Sequence, residues 1–395
     1  MSPDLLIIGG GVVGLTVALA ARRRWADARV TVLEKEPMCG LHASGRNSGV
    51  LHAGFYYTAD SLKARFSRDG RAAWVTWCAA RGLPVRACGK LVVARAPADL
   101  PQLDLLLARA AANGVRLEQV SEAEARAIEP RVRTLDRALW CPDTAAVDPS
   151  AVVAELVREA DRAGITVRTG VAWRGWDGRT LTTDGPIDAG VVVNCAGMYA
   201  DRIAHAHGLA HDLRLLPFKG LYLYGDTEAQ PLACHVYPVP DLDMPFLGVH
   251  WTVTPDGRSK IGPTALPALW REHYGGLAGF DARELADVVG RQARLFAGSV
   301  SFRRLAVNEL LKSRRAALIR EASRLLDGVD PARFRTWGRP GIRAQLVDTR
   351  TNALVMDFVL RSDERSLHVL NAVSPAFTCA LPFAEHVVEQ LPWST

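Results

Sequence analysis

Four consecutive apolar residues, Leu5-Leu6-Ile7-Ile8, run directly into Gly9-Gly10-Gly11-Val12-Val13-Gly14. A short unbroken apolar run suits a strand buried on both faces. Val13, Leu15, Val17, Leu19 and Ala20 continue as a buried helix, and Arg29 to Leu33 predicts the next strand. Glu34 closes that strand, 20 residues beyond Gly14. Strand, G-x-G-x-x-G, helix, strand and acid in this order make a dinucleotide-binding fingerprint. Gly9 permits the tight turn, Gly11 lets the backbone approach a pyrophosphate, and Gly14 lets helix and strand pack closely. The helix N-terminus offers free N–H groups and a positive dipole end to the phosphates. Glu34 would accept hydrogen bonds from a ribose diol and disfavour a 2′-phosphate. The motif alone leaves FAD and NAD both open.

The motif needs more chain around it to make a protein, and 395 residues at 49% hydrophobic supply it. That length suggests two domains and ample core material. Disorder, a collagen-like fibre and a disulfide-stapled miniprotein are excluded. The apolar run Leu5 to Ala21 has the length of a signal h-region, but its glycines point instead to the cofactor motif, and no transmembrane segment is expected. Seven cysteines, an odd number with no C-x-x-C pair, fit a reducing cytoplasm rather than a disulfide framework. Net charge is +6, yet only six of the 48 basic residues are Lys. That Arg excess matches the codon bias of a GC-rich genome, and no basic stripe suggests nucleic acid. His205, His207 and His211 form H-x-H-x3-H, but residues two apart on a helix face different ways, so no metal is expected.

Further along, Ser61 to Arg81 predicts a helix, and Leu91 to Ala94 a strand. Ser121-Glu122-Ala123-Glu124 is a capping box, and Asp148-Pro149 an N-cap followed by Pro at the first helical position. Val191 to Gly197 is a buried strand ending in a glycine turn. From Leu213 to Thr264 the pattern alternates as strands do, and Asp281 to Asp327 is mostly helical. Cofactor-type signals thus lie at both ends with a different sheet between them. The expectation is an α/β (mixed α+β) fold with two interleaved domains. A Rossmann-like cofactor domain takes residues 1–90, 145–212 and 330–395. A substrate domain on a mixed β-sheet takes 91–144 and 213–329.

Several longer segments carry a resemblance. They are Ser44-Gly45-Arg46-Asn47-Ser48-Gly49-Val50-Leu51-His52-Ala53-Gly54-Phe55-Tyr56-Tyr57, Ser61-Leu62-Lys63-Ala64, and Cys88-Gly89-Lys90-Leu91. Asn194-Cys195-Ala196-Gly197-Met198-Tyr199-Ala200-Asp201-Arg202, Tyr237-Pro238-Val239-Pro240-Asp241 and Pro245-Phe246-Leu247-Gly248-Val249-His250 follow. Gly341-Ile342-Arg343-Ala344-Gln345, His368-Val369-Leu370-Asn371-Ala372 and Ser374-Pro375-Ala376 complete the series. With these segments, from Leu5 to about Val388, the chain resembles the FAD-dependent L-2-hydroxyglutarate dehydrogenases (oxidases) of the D-amino-acid oxidase and glycine oxidase superfamily. The resemblance implies FAD rather than NAD, and oxidation of L-2-hydroxyglutarate to 2-oxoglutarate by hydride transfer from C2 to flavin N5. Quinone or oxygen would take the electrons. It implies cofactor contacts for Val12, Val13, Lys35, Ser44, Arg46, Asn47, Ser48, Gly49, Val171, Cys195, Ala196, Gly197, Gly341, Ser374, Pro375, Ala376 and Thr378. The chain departs from the family pattern at Arg46, at Leu221, at Thr264 and at Phe377. The alternatives are an amine or amino-acid oxidase of the glycine oxidase type, and a related dehydrogenase with an altered 2-hydroxy acid substrate.

Oxidising a secondary alcohol needs a base for the hydroxyl proton and cations for the carboxylates. His52 and His250, both in matching segments, are the candidate bases. Arg343 follows the Pro340-Gly341 turn, and its planar fork suits the carboxylate beside C2. Lys219 and Lys90 are candidates for a distal carboxylate, and Tyr57 for the pocket wall. Phe302 to Leu326 holds seven basic and two acidic residues among several leucines. Such a segment suits either peripheral contact with anionic lipid or a hairpin packed on the substrate domain.

Overall fold

The structure, a computed structural model, describes residues 2–241, 246–298, 300–372 and 374–393. Pro245 of the matching segment and the side chain of Leu305 lie outside that description.

The apolar run builds what its pattern dictates. Leu5–Ile8 is a strand at most 5% exposed. It lies inside a six-stranded sheet whose order is Leu360–Ser362, Ser366–Val369, Val191–Asn194, Leu5–Ile8, Val30–Glu34 and Thr166–Thr169. All pairings are parallel except that of the edge strand Leu360–Ser362. Helices Val12–Arg24, Leu62–Ala79 and Ala376–Glu389 pack together over one face, with Leu15, Phe66, Trp74 and Phe383 in the core. A small three-stranded sheet, Trp173–Trp176, Thr180–Thr182 and Gly185–Ile187, lies on the other side with Leu6, Ile8 and Leu33. This is a Rossmann-like α/β arrangement.

Two further sheets stand over it. An eight-stranded sheet runs Thr336–Trp337, Leu223–Tyr224, Ser259–Gly262, His250–Val253, His235–Pro238, Lys90–Val93, Arg137–Cys141, Glu118–Ser121. It is mixed, because His235–Pro238 pairs parallel with Lys90–Val93. A four-stranded sheet is built on the long antiparallel pair Leu213–Gly220 and Gly341–Asp348. These pairings bear on the domain boundary expected at residue 330. Thr336–Trp337 and Gly341–Asp348 hydrogen-bond to strands of the substrate portion. We therefore propose that this portion runs on to about residue 355.

Local signals act as their chemistry requires. Ser61 caps helix Leu62–Ala79 by accepting from the Ala64 N–H. Ser121 and Glu124 close a reciprocal capping box. The Asp148 carboxylate accepts from Ser150 and Ala151. Residues Asp281 to Asp327 form helices Ala282–Gly298, Val300–Leu311 and Arg315–Ala322. No helix among the described residues is long and apolar enough to cross a membrane.

Candidate active site

A cavity of about 760 Å³ lies where the six-stranded sheet meets the two sheets above it. Gly9, Gly11, Val12 and Val13 line one end, with Glu34 and Lys35 beside them. Gly9 takes φ +115°, a conformation closed to most side chains, and a Cβ there would sit 2.4 Å from the Cys195 carbonyl oxygen. Gly14 lies behind the wall instead of on it. Its Cβ would fall 1.9 Å from the Gly9 carbonyl oxygen, so its role is to let helix and turn touch. Burial raises the pKa of the Glu34 carboxyl, and two N–H donors oppose that shift. They are Gly10 at 3.0 Å to Oε2 and Glu36 at 2.9 Å to Oε1. The Lys35 ammonium is pinned at 2.7 Å from Glu272 and against Glu36.

Ser44, Arg46, Asn47 and Ser48 line the next stretch, and the Ser44 hydroxyl accepts from the Val12 N–H at 2.9 Å. Gly49 turns away behind them at φ +78°. Val171, Cys195, Ala196, Gly197, Gly341, Ser374, Pro375, Ala376 and Thr378 also reach the wall. This donor set fits a dinucleotide: a glycine cradle that a single methyl would fill, a helix N-terminus opening on the cavity at Val12, and a buried acid 24 residues beyond Gly10. Arg46, a departure from the family pattern, donates to the carbonyls of Leu41 and Pro340 and lies 4.2 Å over Tyr274. Thr264, another, accepts from Leu221 N–H and donates to the Lys219 carbonyl. Phe377 stacks on Trp74 and forms part of the wall.

At the far end His52, His250 and Arg343 converge with Tyr222, Tyr237 and Phe246. His250 Nδ1 lies 2.8 Å from the Gly248 carbonyl oxygen. A carbonyl only accepts, so Nδ1 carries the hydrogen and Nε2 keeps its lone pair. The ring stacks on Tyr237 at 3.7 Å and 15°. Burial holds the His250 pKa down at about 3, with the charges of Lys90 and Lys260 adding to the effect. His52 is also held well below its ordinary value, first by burial and then by Lys90, and its Nδ1 has no partner among the described residues. The Arg343 guanidinium lies 4.8 Å over Phe246, and its Nε is buried with no acceptor among the described residues. Burial lowers its pKa to about 10.

Three expected substrate contacts do not reach the wall. Lys219 lies between Phe218 and Gly220, which do; strand alternation turns it to the other face. Lys90 is fully buried behind the site, its ammonium 4.4–4.9 Å from the rings of Phe55, Tyr56 and Tyr237. Tyr57 also stands behind the wall, with Lys63 Nζ 5.7 Å from its ring. Sequence reasoning passed over Lys260, whose buried ammonium donates to the Ser48 carbonyl at 2.8 Å. It also passed over Arg271, which lines the cavity and clamps Asp201 through two bonds of 2.7 and 2.8 Å. The scarcity of Lys was the one signal that could have found Lys260.

Fold and site together define a flavin-dependent oxidoreductase, and the comparisons agree. Residues 4–390 match the family described as FAD dependent oxidoreductase (DAO), and the chain belongs to it. FAD is accordingly its cofactor. Among its relatives, the L-2-hydroxyglutarate dehydrogenase of Salmonella houtenae is 33% identical, over 98% of this chain and 93% of that protein. The mitochondrial L-2-hydroxyglutarate dehydrogenase of Bos taurus is 34% identical, over 98% of this chain and 88% of that one. The L-alpha-glycerophosphate oxidase of Mycoplasma pneumoniae with FAD bound superposes with a TM-score of 0.80 at 23% identity, over 100% and 96% of the two chains.

Proposed function

We propose that this enzyme oxidises L-2-hydroxyglutarate to 2-oxoglutarate. The observation that carries the reading is the meeting of an unprotonated His250 Nε2 with an Arg343 guanidinium whose Nε has no acceptor among the described residues, in one buried wall. The Arg343 fork holds the carboxylate beside C2. His250 Nε2 accepts the hydroxyl proton as the C2 hydrogen leaves with its electron pair. FAD, when bound, supplies the acceptor for that hydride. Tyr237 fixes the His250 ring by stacking, and the Gly248 carbonyl fixes its tautomer. His52, Phe246 and Tyr222 keep water out of the reacting end. The names of relatives matched over 98% of the chain support the choice of substrate. Anaerobic mixing tests it: L-2-hydroxyglutarate should bleach the visible flavin band, while glycine, sarcosine and D-amino acids should not. Bleaching by an amine alone would overturn the reading.

We further propose a cytoplasmic protein that touches anionic membrane with one edge, where a quinone could take the electrons. Within the basic segment, Leu318, Ile319, Leu325 and Leu326 are buried in the substrate core. Leu310 and Leu311 remain 59% and 67% exposed. The contact is thereby confined to the end of helix Val300–Leu311 and the basic residues around it.

A further inference from the structure

Between strand Leu266–Pro267 and helix Ala282–Gly298, residues 268–281 form neither helix nor strand. A loop this long inside a packed domain is uncommon and usually serves a site. This one is braced from within. Trp270 Nε1 donates to the Ala278 carbonyl at 2.9 Å, and the Trp270 ring stacks on His273 at 3.9 Å. Gln292 of the following helix donates to the Ala268 carbonyl at 2.8 Å, and Glu284 accepts from the Arg271 N–H at 3.1 Å. The loop leaves the substrate portion, yet Arg271, Glu272 and Tyr274 line the cavity. Each of the three is tied to the cofactor portion. The buried Arg271 fork grips Asp201 and also donates to the Met198 carbonyl. Glu272 holds Lys35 at 2.7 Å, and Lys35 directly follows Glu34, the acid placed for the ribose. The Tyr274 hydroxyl lies 2.7 Å from His42 Nδ1, and the Arg46 guanidinium lies 4.2 Å over the Tyr274 ring. His42 Nε2 lies 3.0 Å from the Glu36 carboxylate, which only accepts. Nε2 therefore carries a hydrogen, and Nδ1 of the neutral ring accepts from the Tyr274 hydroxyl.

We infer that residues 268–281 are a clasp that closes the dinucleotide channel and retains FAD, with Arg271 as its anchor and Glu272 and Tyr274 as its latch. Retention of the cofactor is independent of which substrate the enzyme oxidises. The anchor and the latch differ in strength. Arg271 and Asp201 are a bidentate pair whose side chains are 2% and 1% exposed, and breaking such a pair leaves a buried charge alone. The latch is wetter, with the Lys35 and Glu272 side chains 33% and 21% exposed. Ion pairs of that kind are individually weak and screened by salt. The latch therefore yields first, and the loop swings about Arg271 to let FAD in or out while the sheets stay in place. Arg46, a departure from the family pattern, acts in the latch by stacking on Tyr274.

The test needs no turnover. Flavin fluorescence after dilution of the FAD-loaded enzyme reads the rate of FAD release in wild type, Glu272→Gln, Tyr274→Phe and the double variant. Release should be roughly 2–5-fold faster in each single variant and about 5–25-fold faster in the double, the range for one weak ion pair and one hydrogen bond. High salt should speed release from wild type more than from Glu272→Gln. Uptake of FAD by the apoprotein should be no slower in the variants, because the latch gates the channel. Leu277→Ser, at a position 77% exposed on the same loop, should release FAD as wild type does. Amide hydrogen exchange of wild type, with and without FAD, is the second readout, and FAD should protect residues 268–281. Release from the double variant at the wild-type rate would overturn the inference, as would exchange of residues 268–281 that FAD leaves unchanged. Faster exchange throughout the cofactor sheet of the double variant would make its faster release a loss of fold, and would overturn it too.

Discussion

Replacing His250 by Ala removes the group that the geometry makes the proton acceptor, and the same geometry sets what its pH dependence should be. The free-enzyme pKa is about 3, against 6.5 for an ordinary imidazole. At 1.36 kcal/mol per unit, the site prefers the neutral ring by about 5 kcal/mol. The free enzyme therefore holds His250 ready to accept throughout the range in which substrate carboxyls are ionised. The kcat/KM profile of the wild type should be flat from about pH 5 to 6.5, where an ordinary histidine base would give a rising limb. A bound dianion opposes the fields of Lys90 and Lys260 and raises the ring's pKa, so an acid limb should appear in kcat at higher pH than in kcat/KM. His250→Ala should slow anaerobic flavin reduction about 10²–10⁴-fold, the usual worth of a general base, with its FAD content retained. Stopped-flow reduction across pH reads both effects. A wild-type kcat/KM limb near pH 6.5 that persists in His250→Ala would refute the assignment.

Gly14→Ala should yield protein depleted in FAD and lowered in melting temperature, because its methyl would lie 1.9 Å from the Gly9 carbonyl oxygen; absorbance ratio and calorimetry check it, and overpacking of this kind costs about 1–3 kcal/mol or more. Arg343→Lys should lower kcat/KM roughly 10–150-fold, since a point charge cannot replace the planar fork; steady-state kinetics with unchanged values would remove Arg343 from substrate binding. Anionic vesicles should co-sediment the protein at low salt and release it at high salt, and Leu310→Glu with Leu311→Glu should abolish the effect; no sedimentation of wild type at low salt would remove the membrane contact.

What the residues disclose in order along the chain is the cofactor end. Gly9, Gly11, Gly14 and Glu34 lie within one strand–helix–strand unit, so their spacing alone fixes their geometry. The helix caps at Ser61, Ser121 and Asp148 were legible for the same reason. The substrate end is assembled from afar: His52, His250 and Arg343 meet only through strand pairings distant in sequence. Family-like segments picked those three out. They could not show that Lys219 is absent from that wall, because a one-residue change of strand phase sends it away from the face that Phe218 and Gly220 line. Lys90 fails differently, shut behind aromatic rings that nothing local announces. The Arg271–Asp201 clamp joins residues 70 apart in sequence, a pairing that composition does not encode. The basic segment looked uniform as a string, yet the fold divides it into buried leucines at one end and bare ones at the other.

The strand order of the cofactor sheet has a consequence for biosynthesis. Leu5–Ile8, the first strand to be made, gains one neighbour at Val30–Glu34 and must wait for Val191–Asn194 to fill its other side. That strand in turn waits for Ser366–Val369. At a synthesis rate of about 5–20 residues per second, some 17 to 66 s separate the completion of Glu34 from the arrival of Ser366. Through that interval the nascent sheet carries an unfinished apolar edge, first on Leu5–Ile8 and then on Val191–Asn194. Its yield in a cell should therefore depend on chaperone supply during translation more than on the stability of the finished fold.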